Sequence, residues 1–200
     1  MGMMKRFIAL FFGVWLLFAC STRPPVDSSA TAAQSILLRQ HGHWLLNGRI
    51  AIRTPETQWQ ADVRWEQQGE SYTINLVGPM GQGSAQVQGD PKGIKLTTAQ
   101  GEVFHEQTPE ILWQKQMGWL LPLSGLRYWV LGISSLMVGV DAQEWVQGRL
   151  KYLQQDGWSI DYRRYQSVTL ASGSVQVPNK LFLTNDAIEI RMVIHHWQFL

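Results

Sequence analysis

Apolar side chains in this sequence recur at every second position, segment after segment, and that period dictates a sheet. Trp44, Leu46, Gly48, Ile50 and Ile52 alternate with Leu45, Asn47, Arg49, Ala51 and Arg53. Trp59, Ala61, Val63 and Trp65 alternate with Gln58, Gln60, Asp62, Arg64 and Glu66. Successive side chains of a strand point to opposite faces, so each stretch predicts a strand with one apolar face and one largely polar face.

The same pattern continues between turn signals. Gln67-Gln68-Gly69-Glu70 turns the chain into a strand over 72–77, in which Tyr72, Ile74 and Leu76 share a face. Gly78-Pro79-Met80-Gly81 has proline second and glycine fourth, as a type I turn prefers. Short strands are predicted over 83–89, 93–98 and 102–106, then over 149–155. Asp156-Gly157 is a two-residue hairpin signal leading into 158–165. Strands over 177–184 and 187–197 close the chain through a turn at Asn185-Asp186. Strands at this spacing form an antiparallel meander rather than parallel βαβ units.

One region breaks the period. Thr108 is placed to cap a helix with Pro109 at its first position and Glu110 in its first turn, and Gly118 provides the stop. A second helix is predicted over 125–131, and residues 34–40 are read as one or two helical turns. The insert carries more apolar surface than one packing seam requires. A single sheet of this size must curl around something, so the helices fill its concave side and leave either a dry core or a cavity. On the cavity reading, Trp44, Ile50, Trp59, Trp65, Ile74 and Leu76 face inward together with Trp113, Leu120 and Trp129. The ten tryptophans suit such walls, because tryptophan favours sites with one apolar and one wet side.

The N-terminus has a different logic. Lys5 and Arg6 precede thirteen residues, 7–19 (FIALFFGVWLLFA), without a charge. A bilayer span needs about 20 apolar residues, so this run has the length of a secretory signal. It ends in Leu17-Phe18-Ala19-Cys20, and Cys20 is the sole cysteine. That tetrapeptide resembles the lipobox cut by the lipoprotein signal peptidase. The expected organisation is a signal peptide over 1–19, a lipidated Cys20 with a flexible polar tether over 20–33, and one domain over 34–200. With a single cysteine, no internal disulfide is available.

Composition excludes several classes of function. Cleavage leaves 181 of the 200 residues; removing Lys5 and Arg6 from the 17 basic residues leaves 15 against 15 acidic ones, a formal charge of zero. A neutral domain without a basic run has no field to hold nucleic acid. His41 and His43 share a strand face but find no third ligand at useful spacing, so they read as surface histidines, and no metal site is expected. His195 and His196 are adjacent and point to opposite faces. No nucleophile elbow, phosphate loop or HExxH occurs, so neither a catalytic residue nor a cofactor is expected.

In order and spacing, these segments resemble the LolB family of outer-membrane lipoprotein receptors. The resemblance runs through Trp44-Leu45-Leu46-Asn47-Gly48-Arg49-Ile50, Trp65 with Tyr72, and Gly78-Pro79-Met80-Gly81. It continues through Gly118-Trp119-Leu120-Leu121-Pro122-Leu123, Leu126-Arg127-Tyr128-Trp129-Val130-Leu131-Gly132 and Gln155-Asp156-Gly157-Trp158-Ser159-Ile160-Asp161-Tyr162, to a last strand ending at Trp197. The resemblance implies a mainly β fold, an incompletely closed antiparallel β-barrel lidded by α-helices and shared with LolA. It implies a receptor on the periplasmic face of the outer membrane, with no covalent chemistry. Its partners would be a LolA-type periplasmic carrier, acylated lipoprotein cargo and outer-membrane lipid, and it would act as a monomer. Ser21 after the lipidated cysteine suits release to the outer membrane. The resemblance also assigns the Pro79, Met80, Gly81 turn to membrane insertion, with Met80 projecting into solvent.

A magnitude constrains any such carrier. Three acyl chains hold on the order of 40 methylenes at about 0.8 kcal/mol each, or roughly 30 kcal/mol when buried. The practical ceiling for noncovalent binding is about 18–21 kcal/mol. The cavity must therefore cover only part of the chains, or its opening must cost several kcal/mol. Two other classes stay open on sequence grounds: an outer-membrane assembly lipoprotein without a cavity, and a lipid hydrolase, which the missing nucleophile disfavours.

Overall fold

A computed structural model describes residues 28–79, 83–171 and 173–200. In chain order the elements are α1 (Ser28–Gln40), β1 (His43–Arg53), β2 (Gln58–Gln68), β3 (Ser71–Val77), β4 (Ala85–Asp90), β5 (Gly93–Thr98) and β6 (Val103–Glu106). Then come α2 (Pro109–Met117), α3 (Leu123–Trp129), β7 (Val140–Val146), β8 (Arg149–Gln155), β9 (Trp158–Leu170), β10 (Gly173–Thr184) and β11 (Glu189–Phe199). The strands form one 11-stranded antiparallel sheet in the order β6-β5-β4-β3-β2-β1-β11-β10-β9-β8-β7. The sheet is not closed: β6 and β7 stand at its two edges. The helical insert joins these edges in sequence.

The alternation read from sequence sets the inward face. Leu46, Ile50 and Ile52 on β1, Val63 and Trp65 on β2, and Ile74 and Leu76 on β3 are buried, whereas Arg49, Arg53, Asp62 and Arg64 are exposed. A register shift lies between Asn47 and Gly48 opposite β11. A Cβ at Gly48 would overlap the Val193 carbonyl oxygen and crowd the Ile194 Cα, so glycine is required by close backbone approach rather than by a turn.

α2 follows the local chemistry expected of it. The Thr108 side chain accepts from the Ile111 N–H at 3.4 Å, Pro109 begins the helix, and Gly118 ends it with φ 79° while donating its N–H to the Gln114 carbonyl. Glu110 on α2 accepts from the Ser124 N–H at 3.2 Å, tying α3 to α2. α3 covers Leu123–Trp129, two residues earlier than the 125–131 prediction.

Four further elements differ from the sequence reading. α1 begins at Ser28, so a helix occupies 28–33, within the stretch read as a flexible tether. Ala30, Ala32 and Ala33 give that stretch helix propensity, which the polar composition obscured. β9 and β10 run on to Leu170 and back from Gly173, beyond the predicted 165 and 177. β7 had no sequence signal at all: apart from a half-buried Trp145 every residue of it is exposed, so neither face imposes alternation.

Candidate functional site

The apolar face of the sheet and the two helices of the insert enclose one lipophilic space. Its walls are Ile50 and Ile52 of β1, Trp59, Val63 and Trp65 of β2, Ile74 and Leu76 of β3, Val87 of β4 and Met192 of β11. Trp113 of α2, Leu121 of the connecting segment, and Leu123 and Leu126 of α3 cover it. No charged side chain is among them. The walls lie almost in contact: the space open to a water-sized sphere is about 20 Å³, enough for about one water molecule and far short of an acyl chain.

Aromatic residues close one end of this space. Trp44 sits 5.3 Å from Trp65 and 5.4 Å from Trp197, ring centroid to centroid, and Trp65 lies 6.4 Å from Tyr72. Their polar atoms are satisfied locally. Trp65 Nε1 donates to Gln67 Oε1 at 3.1 Å, the buried Gln67 amide donates to the Gly69 and Ser71 carbonyls, and Trp197 Nε1 donates to the Pro178 carbonyl at 2.9 Å. Towards the opposite rim the lining continues to the half-buried Trp59, paired with Ile52 just before the turn that joins β1 to β2. The space thus comes nearest to solvent at that rim.

The same rim carries several chain reversals. The β1–β2, β8–β9 and β10–β11 turns lie there by register, and the end of β3 at Val77 and the start of β4 at Ala85 face the same way. The segment leading into β7 also arrives there, since Val140 pairs with Gln155. Pro79 is exposed; Met80 and Gly81 lie outside the described residues, as do Cys20 and the rest of 1–27.

Of the nine residues expected to line a cavity, Ile50, Trp59, Trp65, Ile74, Leu76 and Trp113 stand on this wall. Trp44 is buried in the aromatic cluster instead. Trp129, the last residue of α3, is buried away from this wall, its Nε1 donating to Gln155 Oε1 at 2.9 Å. Leu120 is corrected by the structure: it is 50% exposed, while its neighbours Leu121 and Leu123, at 4% each, take the inward places. A short non-helical segment joins α2 to α3 there, so no period indicates which of two adjacent leucines turns in. Val63 and Ile52 obey the same alternation as their neighbours and could have been named from it. Met192 and Val87 had no distinguishing signal.

Three phenols flank the core. Burial pushes the Tyr72 hydroxyl up, with Glu110 adding to the effect and Arg127 opposing it. Burial likewise raises Tyr162 well above the ordinary phenol range, with Tyr165 adding, and raises Tyr165 against the opposing Arg149. All three stay neutral at physiological pH. On the outward face of β2–β6 lies a larger groove of about 800 Å³. It is open and lined by both signs of charge, including Glu66, Asp90, Lys92 and Lys95, so it focuses no field on a ligand.

Comparison with known proteins places this architecture. A LolA superfamily protein from Nitrosomonas europaea superposes with a TM-score of 0.53 at 5% identity, covering 88% of this chain and 94% of that one. A DUF1329 family protein from Desulfovibrio piger superposes at 0.51 with 9% identity, over 88% and 93%. These likenesses establish the fold. An outer-membrane lipoprotein LolB of Nitrosococcus oceani is 33% identical over 199 residues, covering 96% of this chain and 97% of the relative. One from Alkalilimnicola ehrlichii is 33% identical over 186 residues, 91% of each chain. The family model for outer membrane lipoprotein LolB matches residues 42–197, from the first residues before β1 to Trp197 on β11. The chain belongs to the LolB family of outer-membrane lipoproteins.

Proposed function

We propose that this protein is an outer-membrane-anchored receptor that accepts acylated lipoproteins from a LolA-type periplasmic carrier and inserts them into the outer membrane. The observation that carries the reading is the uniformly apolar, almost closed space between sheet and helices. A wall of aliphatic and indole side chains without a charge suits methylene chains and little else. Because α2 and α3 are tied to each other by Glu110 and the Ser124 N–H, in this reading they lift together to admit cargo. No reaction is required, because handing over a lipid changes no covalent bond. Cys20 supplies the anchor in this reading, holding the domain on the periplasmic face, and the Pro79-Met80-Gly81 turn supplies insertion.

Titration with a fluorescent fatty acid tests the reading directly. A soluble form, made with Cys20→Ala behind a non-lipoprotein leader, should bind it saturably and yield it to long-chain competitors. Absence of saturable binding by a folded protein would favour a scaffold without a working cavity and refute the carrier reading.

A further inference from the structure

Residues 133–139, between α3 and β7, form an apolar projection. Leu136 is 76% exposed and Met137 79%, the most exposed large hydrophobic side chains among the described residues, and Val138 follows at 44%. The run is uncharged from Tyr128 to Val140. Single exposed apolar residues are ordinary, but three in succession on one tip mark an interaction surface.

The tip is built, not frayed. Gly132, with φ 76°, turns the chain out of α3 where a Cβ would crowd the Tyr165 hydroxyl and Pro178. Gln155, fully buried at the end of β8, then clamps the segment. Its Oε1 accepts from the Ser135 N–H at 2.9 Å, and its Nε2 donates to the Ser135 and Val138 carbonyls at 2.9 and 2.8 Å. Ser135 Oγ accepts from the Met137 N–H at 3.2 Å, and Arg39 of α1 donates to the Ser134 carbonyl at 2.7 Å. Five backbone polar groups of the segment are thereby satisfied inside the protein.

We infer that residues 136–138 are a membrane-contacting tip, distinct from the β3–β4 turn, whose occupant is the lipid surface itself. This rests on the receptor reading above. Three observations choose lipid over a protein partner. In the tip itself the Met137 N–H and the Val138 carbonyl are already bonded internally, which lowers the cost of bringing them to hydrocarbon. No charge from Tyr128 to Val140 offers a protein surface complementary electrostatics. Only seven residues separate Cys20 from Ser28, eight Cα steps that reach at most about 28 Å, and the helix they lead into is bonded to the root of this very segment through Arg39. The tip also stands on the rim where the apolar space comes nearest to solvent, so seating it would bring that rim to the bilayer.

The test uses the mature, lipidated chain in phosphatidylcholine vesicles containing a nitroxide-bearing lipid. Since Cys20 is the sole cysteine and its thiol is consumed by the lipid, Met137→Cys provides a unique site for an environment-sensitive fluorophore. Glu70→Cys, exposed on the turn at the opposite end of the sheet, is the reference. Emission at 137 should be blue-shifted and quenched several-fold more than at 70, without carrier or cargo, and should persist at high salt. In cargo transfer, Leu136→Glu with Met137→Glu should accept cargo normally and deliver it about tenfold more slowly, a loss of about 1.4 kcal/mol. Equal quenching at the two sites, or none, would overturn the inference. So would shielding of 137 that occurs only when the carrier is added, which would make the tip a protein-docking site. The quenching requires no cargo, so it can fail while transfer succeeds, separating this inference from the receptor reading.

Discussion

Replacing Gln155 by leucine removes one side chain of nearly the same size and leaves four polar groups without a partner. Gln155 is fully buried, and it holds Trp129 Nε1, the Ser135 N–H, and the Ser135 and Val138 carbonyls. A hydrogen bond contributes about 1 kcal/mol net, and a buried group left unpaired costs about 1–3 kcal/mol. The Val138 carbonyl is only partly buried and regains water, whereas Trp129, with no exposed surface, does not. Burying leucine offsets about 1–2 kcal/mol, so the net loss should be about 3–4 kcal/mol, a large share of the about 5–15 kcal/mol of a typical domain. With a urea m-value of about 2–3 kcal/mol/M for a chain of this size, the midpoint should fall by about 1.5 M at unchanged slope. Amide exchange over 132–139 should accelerate in parallel. Gln155→Glu should be no milder at neutral pH, because it turns the donor facing two carbonyls into a second acceptor. A midpoint within about 0.3 M of the parent, less than about 1 kcal/mol, with unchanged exchange would refute the claim that this residue organises the segment.

Other perturbations report on separate parts of the structure. Gly48→Ala places a methyl group against the Val193 carbonyl and should cost about 1–3 kcal/mol, read as a lowered Tm; an unchanged Tm would mean that β11 shifts freely. Leu121→Glu should abolish fatty-acid binding or unfold the protein, while the half-exposed Leu120→Glu should stay within about 0.5 kcal/mol of the parent and bind normally; equal effects would displace the cavity wall. Tyr162 has no hydrogen-bond partner for its buried hydroxyl among the described residues, and its raised pKa means that the folded state holds the proton more tightly than the unfolded chain. Stability is therefore full below about pH 10 and falls as pH rises through the folded value, so Tyr162→Phe should be neutral or stabilising and flatten the alkaline loss in a pH series of urea melts. Met80→Glu should leave folding and acceptance of cargo intact and block release into liposomes; normal delivery would remove the β3–β4 turn from the insertion step.

What could be read from the sequence follows the physics of which faces are buried. β1, β2 and β3 were legible because one face meets the core and the other meets water, which writes a period of two into the residues. β7 was illegible because both of its faces are exposed, and the outer reaches of β9 and β10 faded for a related reason. Beyond Tyr165, most residues of β9 are exposed or half-buried. The candidate site divides along the same line. Positions on alternating strands fell on the wall, except Trp44, which shares the face but joins the aromatic cluster. Leu120 was misplaced because no period governs a short connecting segment. Gln155 could not be found at all: a glutamine closing a strand looks like a surface residue until the chain beyond α3 folds over it.

The nearly closed space bears on the release problem that the acyl-chain arithmetic raises. Walls that already touch are already out of water, so a chain entering between them gains only its own dehydration and must first part the walls. If lifting α2 and α3 brings about 400 Å² of apolar wall into water, the cost is about 10 kcal/mol at about 25 cal/mol per Å². Set against roughly 30 kcal/mol for three enclosed chains, that brings net holding to about 20 kcal/mol, near the ceiling for noncovalent complexes, and partial enclosure lowers it further. A bilayer takes the same chains at their full transfer free energy and has no walls to part. Once the rim touches the membrane, cargo moves downhill and the walls regain their contact as it leaves. In the proposed mechanism the direction of transfer is thus set by the closed state of the receptor, with no nucleotide and no covalent step, and the requirement that falls on the remaining surface is only that the rim reach the lipid.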